Sequence, residues 1–117
     1  MKNLFVCLFL VLGAPALADP SSIQAVSSTN TGNTWRFDVT VAHPDTGWDH
    51  YTDGWRVLSM DGAELGMRVL VHPHVDEQPF TRSLSGVLIP AGTKRVQIQA
   101  RCSVDGWDKA KKTVKLP

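Results

Sequence analysis

Residues 35–43, Trp35-Arg36-Phe37-Asp38-Val39-Thr40-Val41-Ala42-His43, decide the fold. Trp35, Phe37, Val39 and Val41 fall on one side of an extended chain. Arg36, Asp38 and Thr40 fall on the other. A period of two marks a strand with one face buried and one wet. His43 continues the apolar face at the strand's end.

Working outward, short runs of the same kind recur between Gly, Pro, Asp and Asn clusters. Ile23–Ser28 reads as a strand, and 29–33 as the turn joining it to 35–43. Downstream, 55–60 is a strand opening on Trp55, and Asp61-Gly62 is a hairpin turn. Leu65, Met67, Val69 and Val71 alternate in the next strand. Pro73 then ends pairing, because proline brings no N–H to a ladder. Residues 80–89 follow, with Gly86 at a bulge. After Pro90-Ala91-Gly92, Val96, Ile98, Ala100 and Cys102 alternate with Arg95, Gln97, Gln99 and Arg101. Residues 104–109 are a loop, and 113–116 close the set. The expectation is an all-β, seven-stranded immunoglobulin-like β-sandwich with Trp35 and Trp55 in its core, a small open barrel being the competing architecture.

The chain opens with Met1-Lys2-Asn3, an apolar run Leu4–Leu12, and Ala16-Leu17-Ala18. A basic start, a short apolar centre and a small-x-small exit describe a secretory signal peptide. Residues 1–18 are therefore expected to be cleaved, leaving 19–117 as one domain, periplasmic or secreted. The run is too short to span a bilayer as a helix, so no stable membrane anchor is expected. Cys7 would leave with the leader, and Cys102 would remain as a lone thiol. The whole chain carries 12 basic and 11 acidic residues. Near neutrality excludes a nucleic-acid surface or a polybasic membrane patch. No phosphate-cradling glycine loop or dinucleotide fingerprint appears.

Strand order then places the chemistry. In a sandwich of this topology, the loops after the second, fourth and sixth strands lie at one end. The first holds His43, Asp45, Trp48, Asp49, His50 and Asp53. The second holds His72, His74, Asp76 and Glu77, and the third follows Cys102 with Asp105, Trp107 and Asp108. All four histidines and the retained cysteine thus map to one pole. Imidazole, thiolate and carboxylate are the ligands transition metals prefer. His43, His50, His72, His74, Cys102 and Asp105 are the candidate metal ligands, with iron or copper as the cofactor. The alternative is a non-catalytic binding module for a protein or small-molecule partner. Its contact surface would be Trp48, Tyr51, Glu77, Arg82 and Trp107, since aromatics and arginine dominate binding hot spots. A third reading turns the aromatics inward as structural packing. A Cys102–His43 nucleophile pair has no motif around it.

The stretch His43-Pro44 through His50-Tyr51 to Trp55, with Cys102-Ser103-Val104-Asp105-Gly106, resembles the superoxide reductase family (desulfoferrodoxin, neelaredoxin). That family's pattern is a His-Pro, a second histidine, a tryptophan opening the next strand, and a late Cys-x-x-His-Gly. The resemblance implies an immunoglobulin-like domain whose iron is held by four histidines and an axial cysteine. It makes His43, His50 and Cys102 ligands and puts Asp105 where the family has its last histidine. The family's first ligand histidine has no counterpart before His43. The same sandwich is similar to metal-free sulfur-oxidation carrier partners. The 43–51 stretch also resembles one found in small exported bacterial proteins.

Overall fold

The computed structural model describes residues 20–117. The expected leader, 1–18, lies outside them. Eight strands run in chain order: β1 (Ser22–Asn30), β2 (Trp35–Ala42), β3 (Thr52–Leu58), β4 (Glu64–Val69), β5 (Phe80–Val87), β6 (Arg95–Cys102), β7 (Gly106–Trp107) and β8 (Lys112–Lys115). Among the described residues there is no helix. One sheet has the order β1-β2-β5. The other has β4-β3-β6, with β7 and β8 both pairing to β6. Every pairing is antiparallel.

The two sheets meet over the side chains that alternation assigns inward. Phe37, Val39 and Val41 from β2 face Trp55 and Val57 from β3 and Val96, Ile98 and Ala100 from β6. All are at most 1% exposed. Trp35 is only half buried and packs at the rim of this core. The bulge in β5 is present. Trp35 pairs with Val87 but Phe37 with Leu84, and Gly86 takes φ 71°, which suits a residue without Cβ.

Three expectations are corrected. First, β3 begins at Thr52 instead of Trp55, because its polar opening is satisfied across the sheet. The Thr52 hydroxyl bonds Ser21 Oγ at 2.7 Å, and Asp53 accepts from Arg101 Nε at 2.8 Å. At Gly54, a Cβ would stand 2.6 Å from Met67 Cε. Second, β4 does not bury its alternating set as one face, although Leu65 packs against the core. Gly66 lies opposite Val57 and Arg68 opposite Trp55, while Val69 and Val71 are 56% and 73% exposed and Leu70 is buried. Leu84 and Val87 of β5 occupy the space beside Gly66, where a Cβ would meet them at 3.1 and 3.2 Å. Third, the expected loop 104–109 contains a short strand, β7. Arg101 pairs with Trp107 and Asp108 N–H still donates to Ala100 O at 2.9 Å, but Ile98 pairs with Lys112, so extra residues after Asp108 separate β7 from β8. Eight strands therefore replace seven.

Candidate metal centre

The ends of β2, β3 and β6 converge at one pole. At β2's end, Pro44 sits inside a three-residue turn closed by Asp45 N–H donating to His43 O at 2.8 Å. The chain then reverses over Gly47–His50, with His50 N–H on Gly47 O at 3.2 Å. That turn places Trp48 at its tip, 68% exposed, and returns His50 towards His43. Their rings meet edge to face, with centroids 4.9 Å apart. Cys102 ends β6 opposite Thr52 and is 1% exposed. The ladder continues past it, as Ser103 N–H donates to Tyr51 O at 2.9 Å and Tyr51 N–H to Ser103 Oγ at 3.0 Å.

His43, His50 and Cys102 each bring one donor atom to within 4.8 Å of the others. Three donors at trigonal or tetrahedral angles around one ion stand about 3.4–3.8 Å apart on zinc-scale bond lengths, so a pair at the wide limit would close by about 1 Å or more. The imidazoles are free to serve. His43 Nε2 and His50 Nε2 are buried and have no hydrogen-bond partner. A buried polar atom left unpaired costs about 1–3 kcal/mol, which an ion held by both rings and the thiol would offset. Trp55 Nε1, Arg68 Nε and His74 Nδ1 are buried without a partner as well, outside this cluster. Cys102 is 1% exposed and the His43 side chain is fully covered.

Asp45 organises the approach to His43. Its side chain is fully buried, with Oδ1 2.5 Å from His43 Nδ1. Oδ1 also accepts Thr52 N–H at 3.0 Å, and Oδ2 accepts His74 N–H at 2.8 Å. Gln78 adds a second tie, its Oε1 accepting His43 N–H at 2.9 Å and its Nε2 donating to His74 O at 2.8 Å. Asp105 Oδ2 stands 4.0 Å from His50 Nε2. Asp108 is buried behind, accepting Ser21 N–H at 3.0 Å. Burial holds its carboxyl above the usual range, and the Ser21 bond works against this.

The other candidates lie apart from this cluster. His74 is buried and stacked on Phe80 with ring centroids 3.9 Å apart, and its Nε2 is 3.0 Å from Arg82 Nη2. Burial lowers its pKa first, and the Arg82 charge and His72 lower it further. A nitrogen facing a guanidinium is committed as an acceptor. His72 is exposed, its ring 4.6 Å from that of His74. The surface candidates divide into three groups. Trp48 meets Tyr51 edge-on at 5.8 Å. Glu77 pairs with Arg82 at 3.3 Å. Trp107 lies under the Arg56 guanidinium at 3.7 Å, with Arg101 at 5.1 Å.

Asp45 and Gln78 are absent from the sequence-level ligand set. Asp45 carried a faint signal, an acid two residues from a histidine across a proline. Gln78 carried none.

No protein-family model matches the chain. Over 91 residues it is 33% identical to a "Putative lipoprotein" of Halomicrobium mukohataei, a match covering 78% of this chain and 44% of that protein. The chain therefore spans less than half the length of that relative. A crystal structure of a hypothetical protein from Pyrococcus horikoshii OT3 superposes with a TM-score of 0.57 at 12% identity, over 84% of this chain and 90% of that one. At that identity the likeness is one of fold: a shared two-sheet body, with the chemistry left to the residues of this chain.

Proposed function

We propose that this is an exported β-sandwich protein that holds one copper or iron ion between His43, His50 and Cys102 for a redox role. The observation that carries the reading is the meeting of two unpartnered, buried imidazole nitrogens with a buried thiol. Two imidazoles and one thiolate are a set that copper takes readily, and iron accepts the same donors. When bound, such an ion supplies one-electron exchange. The residues of the chain do the rest: the sandwich fixes β2, β3 and β6 in register, and the buried faces of His43 and Cys102 keep water from one side. Export rests on the leader-like start, residues 1–18, and agrees with the name of the Halomicrobium relative.

The resemblance to superoxide reductases supports the same three residues as ligands. The remaining family histidines have no equivalent in the cluster, since Asp105 stands beside His50 and His74 is engaged by Arg82. Superoxide chemistry in the family's manner would thus have to proceed with fewer nitrogen donors.

Elemental analysis of protein expressed with its leader tests the reading. About one copper or iron per chain is expected, lost in His43→Ala and Cys102→Ser. Protein that takes up neither metal, or that retains it after both substitutions, overturns the proposal. Exposed Trp48 and its partner Tyr51 favour a second reading, a contact surface for a protein partner. Under that reading alone, Trp48→Ala abolishes partner capture while the His43 and Cys102 variants leave it intact.

A further inference from the structure

Asp45 is the most thoroughly engaged buried carboxylate among the described residues, and two of its three bonds run to backbone N–H groups. Oδ1 accepts from Thr52 and Oδ2 from His74, so both oxygens already act as acceptors. The 2.5 Å contact between Oδ1 and His43 Nδ1 is a third acceptor bond of the same carboxylate, with the proton on the ring. Nδ1–H is the donor in this contact, and in the neutral ring Nε2 is then the bare nitrogen. Nε2 is also the atom of His43 that is buried without a partner.

We infer that Asp45 is a positioning residue: it selects the Nδ1–H tautomer of His43 and turns the Nε2 lone pair into the donor that His43 offers beside His50 and Cys102. This rests on the metal reading above for its use, but the tautomer itself does not depend on a metal. A hydrogen-bonding partner on the far nitrogen also holds the ring in one orientation, which strengthens its bond to a cation. The Pro44 turn serves the same end. It brings Asp45 back onto the ring of His43 two residues earlier, while β3 and the 72–79 loop clamp the carboxylate from both sides.

An asparagine at 45 retains a single acceptor oxygen for three N–H groups. If its NH2 faces His43, the ring must present bare Nδ1 and carry its proton on Nε2, which removes the lone pair from the cluster. If its oxygen stays on His43 instead, the NH2 opposes His74 N–H and loosens the loop. Two measurements separate ring control from loop anchoring.

The first is the long-range proton–nitrogen spectrum of the metal-free wild-type imidazoles at neutral pH. His43 is expected as the Nδ1–H tautomer, and Nε2–H overturns the inference whether or not Asp45→Asn folds. The second is a competition titration with copper. Asp45→Asn should bind about 10–100-fold more weakly, a clearly larger loss than that of Gln78→Ala, which cuts the other tie between His43 and the loop. Equal losses in the two variants would assign the effect to the loop and overturn the inference. Wild-type protein that binds no copper or iron defeats the metal reading, and the tautomer spectrum still decides the role of Asp45.

Discussion

The two poles of the sandwich handle their polar groups in opposite ways. At the far pole each turn closes on itself. Thr31 N–H donates to Thr34 O at 2.9 Å, Gly62 N–H to Ser59 O at 3.0 Å, and Thr93 N–H to Pro90 O at 3.2 Å. Side chains there repeat the pattern, with Asn30 capping Gly32 and Ser59 bonding Asp61 and Ala63. At the near pole the turns at His43–Asp45 and Gly47–His50 also close locally, but further bonds leap between loops. Asp45 reaches His74, His43 reaches Gln78 and Tyr51 reaches Ser103, separations of 29, 35 and 52 residues. Local closure makes a turn and completes its hydrogen bonding. Long-range closure fixes side chains in place while leaving chosen atoms unpaired, here the Nε2 atoms of His43 and His50. The contrast separates loops that end strands from loops that build a site.

Several substitutions sharpen or break this contrast. The largest effect belongs to the cluster itself. Cys102→Ser should abolish metal retention, whereas Asp61→Ala at the far pole should leave it whole, and elemental analysis of the two proteins reads the difference. Next is stability. Asp45→Ala strands two backbone N–H groups and the His43 ring, which should cost about 3 kcal/mol in urea unfolding. Asp61→Ala should leave the urea midpoint where it is.

A smaller effect is pH dependence centred on His74. Its folded-state pKa lies below the ordinary histidine value, mainly because it is buried. Neutral His74 is therefore favoured in the fold. Stability should be complete above the ordinary histidine value and fall as pH drops towards the depressed one, because the unfolded chain takes up the proton first. Urea midpoints across that window should slope in the wild type and flatten in His74→Gln. Asp108 has the opposite sign. Its raised pKa means that ionising it costs stability as pH rises through and above the ordinary carboxylate range, so Asp108→Asn should gain at neutral pH and lose the advantage in acid. The smallest effect on the fold is that of Trp48→Ala. With 68% of the residue exposed, the change should leave the urea midpoint and metal content unaltered.

How far these features could be read from sequence follows from where the physics is local. β2 and β6 announce themselves because both bury one clean face, Phe37 to Val41 and Val96 to Cys102. β4 misleads because Val69 and Val71 of its alternating run are exposed and only Leu65 of that run packs against the core. Gly66, Arg68 and Leu70 carry the opposite parity, and β5 fills the space beside Gly66. The polar opening of β3 looks like loop because Thr52 and Asp53 find their partners, Ser21 and Arg101, far along the chain. The convergence of His43, His50 and Cys102 follows from strand order alone, since it needs only the ends of three neighbouring strands. The separate fate of His74 does not. Stacking on Phe80 and the contact with Arg82 turn its ring to another use, and neither depends on histidine spacing. Asp45 is a matter of direction: the sequence gives its distance from His43 along the chain, and only the Pro44 turn brings it back to the ring.

X-ray absorption by copper-loaded protein probes the central claim most directly. The account predicts one sulfur and two imidazole nitrogens around the ion, at about 2.3 Å and about 2.0–2.1 Å on the zinc scale, with the sulfur missing in Cys102→Ser. A shell of oxygen and nitrogen alone in the wild type would contradict it.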